Sequence, residues 1–155
     1  NDIATHWPTY QEAANKVGKK PSYRKWRVGR SVLITSSDSE AKEILDNPKG
    51  VFSHYFLYLN TVSKLASGTL GEDINLNKEL PEAITKAKNL IIVGNKKTVT
   101  EKLIQFIDQV GPFGTLLLTG HDVGNSKNLW EDSFSEMSNS IQPILCKYIE
   151  QKFKI

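Results

Sequence analysis

Residues 90–120 read LIIVGNKKTVTEKLIQFIDQVGPFGTLLLTG, and this stretch decides the fold. Leu90 to Val93 is a short, wholly apolar run ending at Gly94, the pattern of a strand covered on both faces. From there to Gln109, Val99, Leu103, Phe106, Ile107 and Val110 recur at helical spacing, and Gly111 follows as a stop. Thr115 to Thr119 is a second apolar run closed by a glycine, Gly120. A strand, a helix and a strand joined by a crossover too long for a hairpin make a right-handed βαβ unit with parallel strands.

Working outward, Trp26 to Thr35 is rich in β-branched residues and reads as one more strand. Alternation places Trp26, Val28, Arg30, Val32 and Ile34 on one face and Arg27, Gly29, Ser31, Leu33 and Thr35 on the other. Ser37 and Glu40 form a capping box that opens a helix carrying Ala41, Ile44 and Leu45, stopped at Asn47-Pro48. A helix over 51–66 presents Val51, Tyr55, Leu59, Val62 and Leu65 as its apolar stripe, with Phe52 and Phe56 beside it. Ser67 to Lys78, with Gly68 and Gly71, reads as a long loop, and Pro81 starts a short helix through Ala87. The first helix spans 5–18, with Trp7, Tyr10, Ala14 and Val17 on one side and Gly18 as its cap. The last starts near Ser126, aligns Trp130, Phe134, Met137, Ile141 and Ile144, and kinks at Pro143.

With 155 residues, the chain has the size of one domain. Its hydrophobic content of 39% and charged content of 24% exclude collagen-like, disordered and disulfide-scaffold classes. A net charge of +3 is too small and too dispersed to point to nucleic acid. No apolar run approaches the ~20 residues of a membrane span. Cys146 is the only cysteine, so neither an intrachain disulfide nor a thiolate metal cluster can form, which fits a reducing, cytoplasmic compartment. His6 and His54 have no metal-ligand partners at useful spacing, and no metal is expected. Three parallel strands leave two open edges, and the chain starts at Asn1 without a methionine. It is therefore read as part of a larger α/β fold.

The segments Thr98–Ile107 and Gly111–Asp122 closely resemble the C-terminal part of bacterial-luciferase-like flavin-dependent monooxygenases, the limonene-monooxygenase-like branch in particular. Trp26–Ser31 and the His6-Trp7 helix are similar to the same branch in the same order. The likeness covers nearly the whole chain and is weakest from Ser67 to Leu80. It implies that residues 1–155 are the C-terminal portion of a (β/α)8 TIM barrel, an incomplete domain holding its last three strands and inactive alone. It also implies reduced FMN, with deazaflavin the lesser alternative, used with O2 on a small organic substrate. A separate flavin reductase and a homo-oligomeric full-length form are the expected partners.

Barrel active sites lie at the C-terminal ends of strands, here Thr35-Ser36, Gly94-Asn95 and Thr119-Gly120-His121-Asp122. His121 is the candidate catalytic group, able to contact flavin or steer protons; its structural alternative is a cap or a partner for Asp122. Gly94, Asn95 and Lys96, with Gly120, are the candidate cofactor contacts. Free amides at a helix start attract anions, and a bound phosphate would offset Lys96 and Lys97 at the positive helix end. Their alternative is a solvated lysine pair, and where the family commonly has a small residue and then proline this chain has Asn95 and Lys96. Phe52 to Phe56 resembles the family's substrate-lining helical region, with plain core packing as the alternative. One of Arg27 and Arg30 faces the interior. Two other functional classes fit the pattern: a non-catalytic α/β module binding a partner through open sheet edges, and a phosphate or nucleotide binder using the Gly94 loop.

Overall fold

A computed structural model of the chain describes residues 3–69, 76–121 and 127–154, so Gly71, Asp122 and Ser126 lie outside the described residues. In chain order the elements are α1 (Ile3–Lys16), a 3-10 turn (Tyr23–Lys25), β1 (Arg27–Arg30), β2 (Val32–Ile34), α2 (Asp38–Asp46), α3 (Val51–Ala66) and α4 (Leu76–Leu90). There follow β3 (Ile92–Gly94), α5 (Lys96–Val110), β4 (Thr115–Leu118), α6 (Lys127–Glu136), a π turn (Met137–Ile141) and α7 (Gln142–Phe153).

The run expected as one strand divides at Ser31, and its halves take different neighbours. β1 pairs in parallel with β4, Val28 opposite Leu116, and β2 pairs in parallel with β3, Leu33 opposite Val93. The carbonyls of Trp26 and Arg30 accept from Thr115 and Thr119, whereas Ser31 accepts from Ile92 and the Thr35 amide donates to Gly94. Even positions thus face β4 and odd positions face β3, which puts the two partners on opposite sides of one central run. In a barrel, consecutive strands are neighbours; here the first run lies between the second and the third.

Burial explains why that run is central. Val32, Leu33, Ile34 and Thr35 are all buried, as a strand covered on both faces requires, whereas in the β1 half only Val28 is buried. β4 instead alternates exposed and half-buried residues, with Leu117 50% exposed, so it is an edge strand and not the doubly covered one its apolar sequence suggests. β1–β4 and β2–β3 form two separate two-stranded sheets, and their side chains reach two cores. Val28, Val32, Ile34 and Ile92 pack on α5, Met137, Ile141 and Leu145. Leu33, Ile91 and Val93 pack on Ala41, Phe52, Phe56, Trp130 and the alanines Ala83 and Ala87. Each large side chain so buried contributes about 1.5–3 kcal/mol.

Several local expectations are corrected. The short helix from Pro81 is longer than expected: α4 begins at Leu76, within the end of the expected Ser67–Lys78 loop, and carries Pro81 inside it, while residues 70–75 of that loop lie outside the described residues. Leu90 ends that helix and is 51% exposed, so β3 starts two residues later than the apolar run and ends one residue later. On α3 the buried face is Phe52, Ser53, Phe56 and Asn60, whereas Leu59, Val62 and Leu65 of the expected stripe are exposed. The buried amide of Asn60 decides this: it donates to Glu79 on α4 at 2.7 Å and accepts from Lys86, which turns that face inward. On α1 only Ala14 is buried; Trp7 stacks on Trp26 at 5.6 Å, and Gly18 follows the helix while the Lys19 amide returns to the Ala14 carbonyl. The capping box is displaced by one residue: Ser37 accepts from the Glu40 amide, but the Glu40 carboxylate receives Ser36.

At the C-terminal end the π turn replaces a simple proline kink. Its wider turn holds one more residue, so the inward position after Ile141 is Leu145, and Ile144 is left 45% exposed. Phe134 is likewise exposed. Among the described residues, no helix is long and apolar enough to cross a membrane.

Candidate functional site

Because β4 pairs beside the first half of the central run and β3 beside the second, their C-terminal ends are staggered. The expected site residues therefore separate into two places. Gly120 and His121 lie near the middle of the central run, and Gly94, Asn95 and Lys96 lie at its end.

At the first place, His121 Nε2 is 2.9 Å from the Ser31 hydroxyl. The imidazole is walled by Tyr55 and Phe52, edge-on at centroid distances of 4.5 and 5.2 Å, with Trp130 at 6.1 Å. Burial lowers its pKa below the ordinary 6.5, because a charged ring in this apolar surround loses hydration. Burial thus favours the neutral form of the ring. The aromatic segment beginning at Phe52 thus contributes both to the core and to the His121 wall. A Cβ added to Gly120 would meet Phe134 at an ordinary 3.5 Å.

At the second place, Asn95 caps α5 by accepting the Thr98 amide at 3.0 Å. The Asn95 amide is itself engaged, since it donates to Asp38 at 2.8 Å. Asp38 also accepts from the Asn95 side-chain amide at 3.0 Å and the Thr98 hydroxyl at 2.9 Å. These bonds, that of the Asn95 backbone first, hold the Asp38 carboxyl below its usual range. Gly94 is required here by close approach: at φ +155° a Cβ would fall 2.7 Å from Thr98 and 2.8 Å from Asp38. Lys96 reaches Glu136 at 2.7 Å and Lys97 reaches Glu101 at 4.0 Å. The charge that balances this helix start is the chain's own carboxylates. A cleft of about 1070 Å³ opens beside it, lined by Ile34, Thr35, Ser36, Asn95, Lys96 and Glu136 among others.

Arg30 is the arginine that turns inward, with its guanidinium 4.4 Å over the Phe106 ring and its pKa lowered by burial; Arg27 is exposed. Sequence reasoning missed Ser31, Asp38 and Trp130 as site residues. Asp38 carried a signal: it follows a serine that already caps α2, so its carboxylate is free to reach elsewhere. Ser31 and Trp130 carried none, because their partners are distant in the chain.

The outward-facing carbonyl of Val93 on β3 accepts from Lys102 Nζ at 2.7 Å, whereas the β4 edge carries exposed residues, Leu117 among them. An incoming phosphate at α5 would have to displace Asp38.

No family model matches the chain. It is 27% identical to 3,6-diketocamphane 1,6-monooxygenase of Pseudomonas putida over 143 residues, 91% of this chain and 38% of that protein. It is 20% identical to 2,5-diketocamphane 1,2-monooxygenase 1 of the same organism over 145 residues, 91% of this chain and 40% of the relative. A solved type II Baeyer–Villiger monooxygenase, the oxygenating constituent of 3,6-diketocamphane monooxygenase in complex with FMN, superimposes with a TM-score of 0.66. That match is 27% identical and covers 91% of this chain and 39% of the other. The chain spans about two fifths of the length of the relatives it matches. The proteins it resembles are thus diketocamphane monooxygenases, one of them solved in complex with FMN.

Proposed function

We propose that this chain is the C-terminal portion of a (β/α)8-barrel monooxygenase that uses reduced FMN and O2 to oxygenate a small organic substrate. The observation that carries this reading is the match along 91% of the chain to a monooxygenase solved with FMN. In the assembled protein β3 lies between the central run and β4, so β4 exchanges its contact with β1 for one with β3. A separate reductase delivers the flavin, the full-length protein is a cytoplasmic homo-oligomer, and the chain alone is inactive.

The residues fit a flat, uncharged ring system at His121 and do not fit a phosphate at α5 as arranged. Bound flavin would supply the activation of dioxygen. His121, walled by Phe52, Tyr55 and Trp130, offers one ring nitrogen to the flavin or substrate while the aromatic surround excludes water. Gly120 leaves that approach open. Gly94, Asn95 and Lys96 form the rim of the mouth, with Asp38 holding the α5 amide that a phosphate would otherwise use.

The test is complementation. The chain, co-expressed with the preceding three fifths of a diketocamphane monooxygenase, is expected to retain oxidised flavin, seen as its visible absorbance, whereas the chain alone retains none. A correctly assembled complex that binds no flavin overturns the reading.

A further inference from the structure

Helix α3 carries two apolar faces. On the inner one Phe52 and Phe56 share a core with Leu33 and Val93, and Asn60 bonds to α4. On the opposite side Val51, Tyr55, Tyr58, Val62 and Leu65 follow one another at steps of four, three, four and three residues. Those steps repeat every ~3.5 residues, the period at which one helix packs along another. Val51 and Tyr55 are half-covered by the inner core, but Tyr58, Val62 and Leu65 are 60%, 42% and 66% exposed, with Leu59 beside them at 39%. Among the described residues, no other helix exposes more than one large apolar side chain.

That outer face also carries no charge. The one lysine of the helix, Lys64, turns aside to Glu79 and Glu82 on α4. An uncharged face meets a copy of itself without like-charge repulsion. A lipid surface, by contrast, is held by helices with lysines and arginines free beside the apolar stripe, and α3 has none. The four exposed side chains present on the order of 400 Å² per copy, so a pair buries about 800 Å² from them alone. With His54 and Ala66 at the margins, the total approaches the ~1,200 Å² at which stable interfaces begin.

We propose that α3 docks antiparallel on α3 of a second copy of this chain through Tyr58, Leu59, Val62 and Leu65. A two-fold axis near Val62 sets Tyr58 of one copy against Leu65 of the other and brings the two Val62 side chains together, so each contact is made twice. The antiparallel arrangement also opposes the two helix dipoles. The proposal gives a surface to the homo-oligomer of the functional reading, and to that extent rests on it. An interface at the small end of the range gives a dimer of micromolar affinity.

Sedimentation equilibrium of the chain from about 1 to 500 μM tests this, and a monomer–dimer equilibrium with a micromolar Kd is expected. Val62→Glu, which sets two carboxylates face to face at the axis, should raise that Kd at least tenfold while circular dichroism stays unchanged. Leu117→Glu, on the exposed edge of β4, should leave it as it was. In a Cys146→Ser background, Val62→Cys should form an intermolecular disulfide under mild oxidation, and Ser39→Cys on the exposed side of α2 should not. A chain that stays monomeric at the highest concentration overturns the proposal, as does a dimer that survives Val62→Glu or one dissolved by Leu117→Glu. In the complemented protein, loss of assembly with the preceding segment on Val62→Glu would assign the face to that segment and overturn it too. The dimer is read without flavin, so failure to retain flavin with dimerisation intact counts against the functional reading alone.

Discussion

The backbone amide of Ile34 donates to the hydroxyl oxygen of Ser133, 99 positions later in the chain, at 2.9 Å. Ile34 faces the β4 side of the central run, but β4 has already ended at Leu118, so no strand acceptor stands opposite. α6 supplies one from a buried serine. Together with Lys102 on the Val93 carbonyl, this shows how side chains occupy sheet positions that strands leave open.

Ser133→Ala should leave the Ile34 amide buried and unpaired, at a cost of about 1–3 kcal/mol. Chemical denaturation reads the loss, and hydrogen exchange at Ile34 should rise more than at Leu33. A change below experimental error would show that water or a shift of α6 replaces the hydroxyl.

Asp38 gives a pH dependence of definite sign. Its carboxyl is held below the ordinary 3.8 by the Asn95 amide and Thr98 hydroxyl, so the unfolded chain binds that proton more readily. The stability it contributes is present above 3.8 and is lost as pH falls through the folded value. Asp38→Asn should lower the thermal midpoint at neutral pH and flatten the acid limb of the midpoint-against-pH curve. Parallel curves for the two proteins would contradict the linkage.

His121 acts in the same direction for a different reason. Burial favours its neutral form, so the folded chain resists protonation and loses stability as pH falls below 6.5. His121→Gln should remove that part of the acid sensitivity. In the complemented protein the same substitution should lower kcat roughly 10²-fold, the usual effect of removing one preorganised donor. Unaltered turnover with intact flavin binding would remove His121 from the chemistry.

The glycines flanking β4 should respond oppositely to alanine. A Cβ on Gly114 would fall 2.0 Å from the Arg24 carbonyl oxygen, a backbone atom of the 3-10 turn that cannot swing aside. Gly114→Ala should therefore cost about 3 kcal/mol, at the upper end for overpacking. Gly120→Ala should stay within ~0.5 kcal/mol, as for a site with ordinary contacts. Denaturant midpoints of the two variants measure the contrast directly.

What the sequence determined by itself was local. The α5 face from Val99 to Val110, the Asn47-Pro48 stop, the division of the central run into two faces and the placing of Arg30 with Val28 and Val32 all follow from periodicity and backbone chemistry that neighbours cannot alter. The tertiary structure alone decided the rest. Which run became central, which face of α3 turned inward around Asn60 and how the π turn substituted Leu145 for Ile144 depend on partners far along the chain. The candidate site divides the same way: His121 and Asn95 were visible as strand-end residues, whereas Ser31 and Asp38 joined them only through contacts spanning 90 and 57 positions. A spacing pattern reports which side a residue faces; only packing reports what it meets there.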